Sequence, residues 1–256
     1  MGTQSCFASS YWNEYAQCYD SLLHLTPYAD MLREVAEVVC SLPKGLILDA
    51  SCGTGNFEMV LQHHRHNASS LIGIDSSPAM LTHAREKCSA LTWCAFEEAD
   101  LNLPLPLLHT SCAHVVSINT LYAVRNPLYT LTEFFRVLQP SGFLHLVTPR
   151  EGYENGLILK AHCTSEHPDK YWMDAHASEE RESALIAEAI SDVDIQHDMR
   201  MIAQYNRHIA TNALFHFFDE YTIRTLIENA GFHICRVAYS YAQQDFFITA
   251  QKGDVQ

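Results

Sequence analysis

Apolar residues along this chain recur in two rhythms, helical spacing and short unbroken runs, and their alternation predicts the elements. Between residues 26 and 42, Met31, Val35, Val38, Val39 and Leu42 fall at helical spacing behind Thr26 as N-cap and Pro27 at the first helical position. Pro43-Lys44-Gly45 ends that pattern, and the run Leu46-Ile47-Leu48 predicts a buried strand ending in Asp49. A glycine-containing loop and a helix follow. Residues 71–74 predict the next strand, and Ser77-Pro78 caps a helix with Leu81, Ala84 and Cys88 inward. A weaker strand is expected at 93–96 and a strong one at 113–118. Asn126-Pro127 then caps a helix with Leu128, Leu131, Phe134, Phe135 and Leu138 inward, and Pro140-Ser141-Gly142 turns into a strand at 143–147.

Residues 151–216 break this rhythm, with helices expected around 184–190 and 201–213, and read as an inserted helical cap. A helix over 219–230, closed by Gly231 at C′, leads to strands at 233–239 and 245–250. Strands spaced by helices imply right-handed crossovers. The expected fold is α/β and Rossmann-like, a mainly parallel seven-stranded sheet with helices on both faces and an inserted helical cap. The expectation is one domain over 1–256: an N-terminal lid and helix (1–44), a cofactor-binding half (45–150), a cap forming the acceptor pocket (151–216), and a C-terminal helix and strands (217–256).

Composition narrows the class. A chain of 256 residues with 48% hydrophobic content can bury a sizeable core. No apolar run approaches the roughly 20 residues that span a bilayer, and no secretory signal pattern opens the sequence, so a cytoplasmic protein without a membrane span is expected. Nine irregularly spaced cysteines argue for reduced thiols rather than a disulfide framework. A formal charge of −14 repels a phosphate backbone, so nucleic acid is an unfavourable partner, whereas a neutral or cationic small molecule is easily accommodated.

The stretch from Leu46 to Phe57 carries the candidate chemistry. Gly53 and Gly55 can take positive φ and let a ligand approach bare backbone at the start of a helix. Gly53-Thr54-Gly55 leads to Glu58, whose long anionic side chain suits neither close helix packing nor a pyrophosphate, which disfavours a dinucleotide fingerprint. No Gly-Lys-Ser or Gly-Lys-Thr follows, which excludes a Walker loop. Asp75, at the end of the second strand, either accepts hydrogen bonds from ribose hydroxyls or caps a helix, although Ser77 is the better cap. Asp100 either accepts an adenine amino hydrogen or forms a turn.

With these residues in place, the chain resembles the class I S-adenosylmethionine-dependent methyltransferases. Leu48-Asp49-Ala50-Ser51-Cys52-Gly53-Thr54-Gly55 resembles the family's first motif, with Ser51 where glycine is usual. Asp75 with Ser76 resembles its ribose site and Asp100-Leu101 its adenine site. Residues 116–119, ending in Asn119, resemble its fourth strand, and residues 136–142 its usual helix-to-strand turn. Tyr11 to Ala16 and Tyr19-Asp20 resemble the segment that folds over the cofactor. There a tyrosine hydroxyl, of Tyr11 or Tyr19, bonds the methionine carboxylate or simply packs on the first helix.

The resemblance implies S-adenosyl-L-methionine as cofactor and in-line methyl transfer, for which alignment in a dry site is the main requirement. A phenol or carboxyl acceptor needs positioning; an alcohol needs a base such as histidine. His162, His167, His176, His197, His208 and His216 lie in or beside the cap, and no HExxH pattern suggests a metal. The loop from Asn119 to Tyr122 lacks the Pro-Pro-aromatic run that, by resemblance, marks methylation of nucleobase amines. Tyr122 is the expected pocket wall, with core packing as its alternative. The expected function is methyl transfer to a small-molecule acceptor; the alternative is an enzyme of the same fold that binds the cofactor and catalyses another reaction. No catalytic residue is named, and the oligomeric state is left open.

Overall fold

The computed structural model describes residues 9–64, 70–166, 183, 184, 186, 187, 190–211 and 215–253. Its strands are β1 (Ile47–Ala50), β2 (Leu71–Asp75), β3 (Cys94–Glu98), β4 (Cys112–Ile118), β5 (Leu138–Pro149), β6 (Phe232–Ser240) and β7 (Asp245–Lys252). They form one seven-stranded sheet in the order β3-β2-β1-β4-β5-β7-β6. The first five are parallel, and β7 lies antiparallel between β5 and β6. The mainly parallel Rossmann-like sheet expected from the sequence is the sheet observed. Its order reverses between β1 and β4, and ligands of such sheets sit beyond the carboxyl ends of strands at that reversal.

The crossover helices are α3 (Asn56–His64), α4 (Pro78–Lys87) and α5 (Pro127–Val137). Local chemistry sets their starts: Ser77 Oγ accepts from the Met80 N–H at 3.2 Å, and Asn126 Oδ1 from Tyr129 N–H at 3.1 Å. The sheet buries both faces. Along β4, Val116 joins a cluster with Met31, Leu32 and Val35 of α2 (Thr26–Ser41), while Val115 joins Leu131 and Phe134 on the opposite side.

The remaining helices are α1 (Ser9–Tyr15), α6 (Asn155–Glu166), α7 (Val193–Thr211) and α8 (Glu220–Asn229). Asp219 caps α8 through the Thr222 N–H at 2.6 Å, and Gly231 follows it at φ 98°. Three boundaries differ from expectation. Thr26 is not an N-cap: Leu25 holds that position without a side-chain bond, and Thr26 N–H and Oγ1 instead meet His162 Nδ1 at 3.2 and 3.1 Å. β5 starts at Leu138, which pairs with Cys112, so the turn residues Pro140-Ser141-Gly142 lie within a strand bent by Ser141 at φ 61°. In the cap, α6 precedes the expected helices, Ser183, Ala184, Ile186 and Ala187 are helical, and α7 starts eight residues before 201. Among the described residues no helix is long and apolar enough to cross a membrane.

Candidate active site

The loop after β1 is built on left-handed backbone: Ser51 at φ 73°, Gly53 at 54° and Gly55 at 83°. Ser51 thus stands in a conformation that glycine adopts more easily, the physical reason glycine suits that position. The two glycines serve different ends. A Cβ on Gly55 would come within 2.9 Å of Cys88 Sγ and 3.3 Å of Ala84 Cα, so Gly55 lets α4 pack against the loop. Over Gly53 lies the Tyr19 ring, 3.5 Å from where a Cβ would stand. Asp75 fixes the loop from β2, accepting the Gly53 N–H at 3.0 Å on Oδ2 and the Ser77 N–H at 2.9 Å on Oδ1. Burial raises its pKa, and those backbone donors partly offset the rise.

A cavity of about 650 Å³ opens beyond the carboxyl ends of these strands. Around it the fold brings together Tyr19, Ser51, Gly53, Asp75, Ser76, Asp100, Leu101 and Asn119 of the residues singled out in the sequence. Its size lies in the range of small-molecule sites. The wall fits an adenosyl group: Asp75 and Asp100 present carboxylates to ligand hydroxyl and amino hydrogens, with Met80, Leu101 and Ile118 as apolar surface. Asp100 also forms a turn, its Oδ1 accepting both the backbone N–H of Asn102 at 2.9 Å and the Asn102 amide at 2.7 Å. Met80, Glu98, Asn102 and Arg125 line the cavity without having been singled out. Met80 and Glu98 carried a usable signal, the first turn after a capped strand end and the end of a strand.

Three expected contacts lie elsewhere. Gly55 is buried under α4, and Asp49 is buried beneath the loop beside Glu58. Burial, with Glu58 beside it, lifts Asp49 well above the carboxylate range, and Glu58 itself rises to about 7, chiefly from burial. Glu58 is therefore packed in the helix–sheet contact, contrary to the expectation that its side chain suits no such place: near neutrality it can carry a proton. Tyr11 points into the cap, its hydroxyl donating to the Tyr205 carbonyl at 2.9 Å and its ring set edge-on against Tyr205, so it does not reach the cavity. Tyr122 lines a second, smaller cavity.

A lysine ties the lid to the loop. Lys87 Nζ donates to Asp20, to Asn56 Oδ1 at 2.6 Å and to Thr54 Oγ1 at 3.2 Å, and Asp20 also accepts from Thr54. These bonds hold the 3-10 turn Tyr19–His24 against the loop, which seats Tyr19 over Gly53.

The smaller cavity, about 60 Å³, shares Trp12, Tyr19 and Asn119 with the larger one and extends toward the cap. Its wall is rich in tyrosine: Tyr15, Tyr28, Tyr122, Tyr153 and Tyr241. Asn119, at the junction, holds φ 49°. Asp245, the first residue of β7, is fully buried opposite Pro149, with the Asn119 side chain facing its carboxyl. Burial lifts its pKa to about 8; the facing Asn119 side chain offsets part of the rise, and its charge acts on Tyr122, Tyr153 and Tyr241. Of the cap histidines, His162 is bound to Thr26, His208 lies 5.7 Å from the Tyr11 ring centre, and His216 Nε2 meets the Val124 carbonyl at 3.1 Å. Neither these nor His197 line either cavity, and His167 and His176 lie outside the described residues.

Residues 47–142, the span that carries the loop and most of the larger cavity, match the family of methyltransferase domains. Over 258 residues the chain is 25% identical to the Bacillus subtilis protein YqeM, named as a methyltransferase, covering 93% of this chain and 96% of that one. A shorter match, 42% identical over 82 residues and 31% of each chain, is to the trans-aconitate 2-methyltransferase of Escherichia fergusonii. A solved SAM-dependent methyltransferase from Aquifex aeolicus superimposes with a TM-score of 0.56 at 18% identity, over 96% of this chain and 99% of that one, a likeness of fold.

Proposed function

We propose that this chain, a class I S-adenosylmethionine-dependent methyltransferase, passes the methyl group to a small-molecule acceptor held between the sheet edge and the cap. The observation that carries this reading is the pair of adjacent cavities, which share Trp12, Tyr19 and Asn119 in their walls. The larger has the size and the carboxylate-lined wall for the adenosyl group, and the smaller, reached past Trp12, Tyr19 and Asn119, is enclosed by lid and cap side chains. Its volume suits a few non-hydrogen atoms and leaves no room for a macromolecular acceptor to enter whole. Asp75 bonds the ribose hydroxyls, Asp100 the adenine amino group, and Ser51, Gly53 and Ser76 bring the loop backbone to the ligand. Asn119 and Tyr122 stand on the acceptor side. S-adenosylmethionine supplies a methyl on a positively charged sulfur; the protein supplies alignment and exclusion of water. The 82-residue likeness to the trans-aconitate enzyme spans too little of either chain to carry its acceptor over.

Thermal-shift titration tests this. A ligand that binds the native state raises stability by RT ln(1 + [L]/Kd), about 2.7 kcal/mol at a hundred times Kd. S-adenosylhomocysteine should raise the melting temperature and NAD should not, and Asp75→Ala should weaken the S-adenosylhomocysteine shift by about a hundredfold in Kd, the worth of two hydrogen bonds to a charged group. A shift with NAD alone would overturn the reading.

A further inference from the structure

We propose that the tyrosine-lined chamber selects an amine, seating its cationic nitrogen among the aromatic rings in front of Asp245. This rests on the methyl-transfer reading above and adds the acceptor's chemical class. Three observations converge on it. First, the polar groups on the chamber wall are phenol oxygens and the amides of Asn119 and Asn206, and among the described residues no lysine, arginine or histidine lines it. An acceptor bearing a carboxylate or phosphate would meet no cation there. Second, the wall is largely aromatic: Trp12, Tyr15, Tyr19, Tyr28, Tyr122, Tyr153, Phe217 and Tyr241 surround about 60 Å³. Ring faces attract ammonium groups, most strongly where water is excluded. Third, Asp245 stands at 0% exposure behind this wall, opposite Pro149, with the Asn119 side chain facing its carboxyl and no ion pair to it among the described residues. A buried carboxyl left unpaired is costly, and a buried group of this kind is normally paired. A cation in the chamber favours the ionised form of this carboxyl and supplies its countercharge.

The chemistry of transfer fits the same wall. The seated ammonium first gives up its proton to solvent; the nitrogen, now the free base, uses its lone pair to form the new N–C bond while the C–S bond breaks, and sulfur keeps that electron pair as a neutral thioether. The positive charge thereby passes from sulfur to nitrogen, and any proton the nitrogen still carries goes to solvent after release. Rings around the nitrogen, with a carboxylate behind them, favour the state in which it holds the charge. Asp245 acts as a positioning residue, through its charge on the chamber.

The test uses three non-reacting probes of nearly equal shape and opposite or no charge: tetramethylammonium, tert-butanol and trimethylacetate. Each is titrated by thermal shift into the full chain, with and without saturating S-adenosylhomocysteine, and into Asp245→Asn. Tetramethylammonium should bind at least about tenfold tighter than either of the others, and Asp245→Asn should erase most of that preference while keeping the S-adenosylhomocysteine shift. Equal or better binding of trimethylacetate or tert-butanol, or a preference unchanged in Asp245→Asn, overturns the proposal. If Asp245→Asn does not fold, the ranking of the three probes on the native chain decides. A chain that prefers tetramethylammonium yet shows no shift with S-adenosylhomocysteine would sink the methyl-transfer reading and leave the cation site standing.

Discussion

Glu58 shows how burial changes the meaning of a side chain. An acid with no exposed surface, set beside Asp49, holds its proton to about 7 rather than to the ordinary value near 4.5. Between those two values the native chain binds more protons at this position than the unfolded chain does, so stability falls as pH rises through the window and levels above it. Asp245, raised to about 8, acts in the same sense and extends the decline. Below pH 6.5 the buried His145, lowered to about 3, works in the opposite sense, so the melting temperature of the ligand-free protein should drop chiefly between pH 6.5 and pH 8. Glu58→Gln should flatten the lower part of that decline and Asp245→Asn the upper part. Melting curves at half-unit pH steps check this; a melting temperature rising over that range would refute it. Neither residue announces this behaviour in sequence, where Glu58 reads as a long anionic side chain unsuited to close helix packing.

At the level of elements, the strands and most caps were legible because their signals are local. Ser77 and Asn126 each accept the N–H three residues on, as their position before a periodic apolar run predicts, and Asp219, read as the first helical residue, caps its helix in the same way. Asp75 and Asp100 were visible because Asp75 ends a strand and Asp100 follows one in a repeating order. Asp245 was not, because its place depends on β7 entering antiparallel between β5 and β6, which sets it opposite Pro149 and against Asn119. No spacing in the sequence links positions 119, 149 and 245. Gly55 was legible as a glycine requirement but not as its cause, which is the approach of α4 rather than of a ligand. Gly55→Ala should consequently destabilise the protein by roughly 1–3 kcal/mol, from the left-handed backbone and the contact with Cys88. Chemical denaturation measures the loss. Because Gly55 does not line the cavity, the affinity of the folded fraction for S-adenosylhomocysteine should change little; a large affinity loss with unchanged stability would contradict this division of roles.

Across the whole molecule, the lid and the cap are joined to each other as well as to the sheet. Tyr15 donates to Asn206 Oδ1 at 3.1 Å, Tyr11 to the Tyr205 carbonyl, Ser21 to Asp198, and Thr26 meets His162, so contacts spanning more than 130 positions tie residues 11–26 to α6 and α7. The same lid is fastened to the glycine loop through Asp20, Thr54 and Lys87. A ligand that stiffens the loop therefore acts on the cap through the lid, since the lid bonds both. Amide hydrogen exchange makes the coupling measurable. Adding S-adenosylhomocysteine should slow exchange in residues 11–26 and in α7 together, although α7 supplies no lining to the larger cavity. In the double variant Tyr15→Phe, Ser21→Ala the lid keeps its bonds to the loop and loses two of its bonds to the cap. Protection should then persist in residues 11–26 and diminish in α7. Equal protection of α7 in both proteins would mean that the cap closes over the site without the lid, and that the acceptor chamber forms independently of the cofactor side.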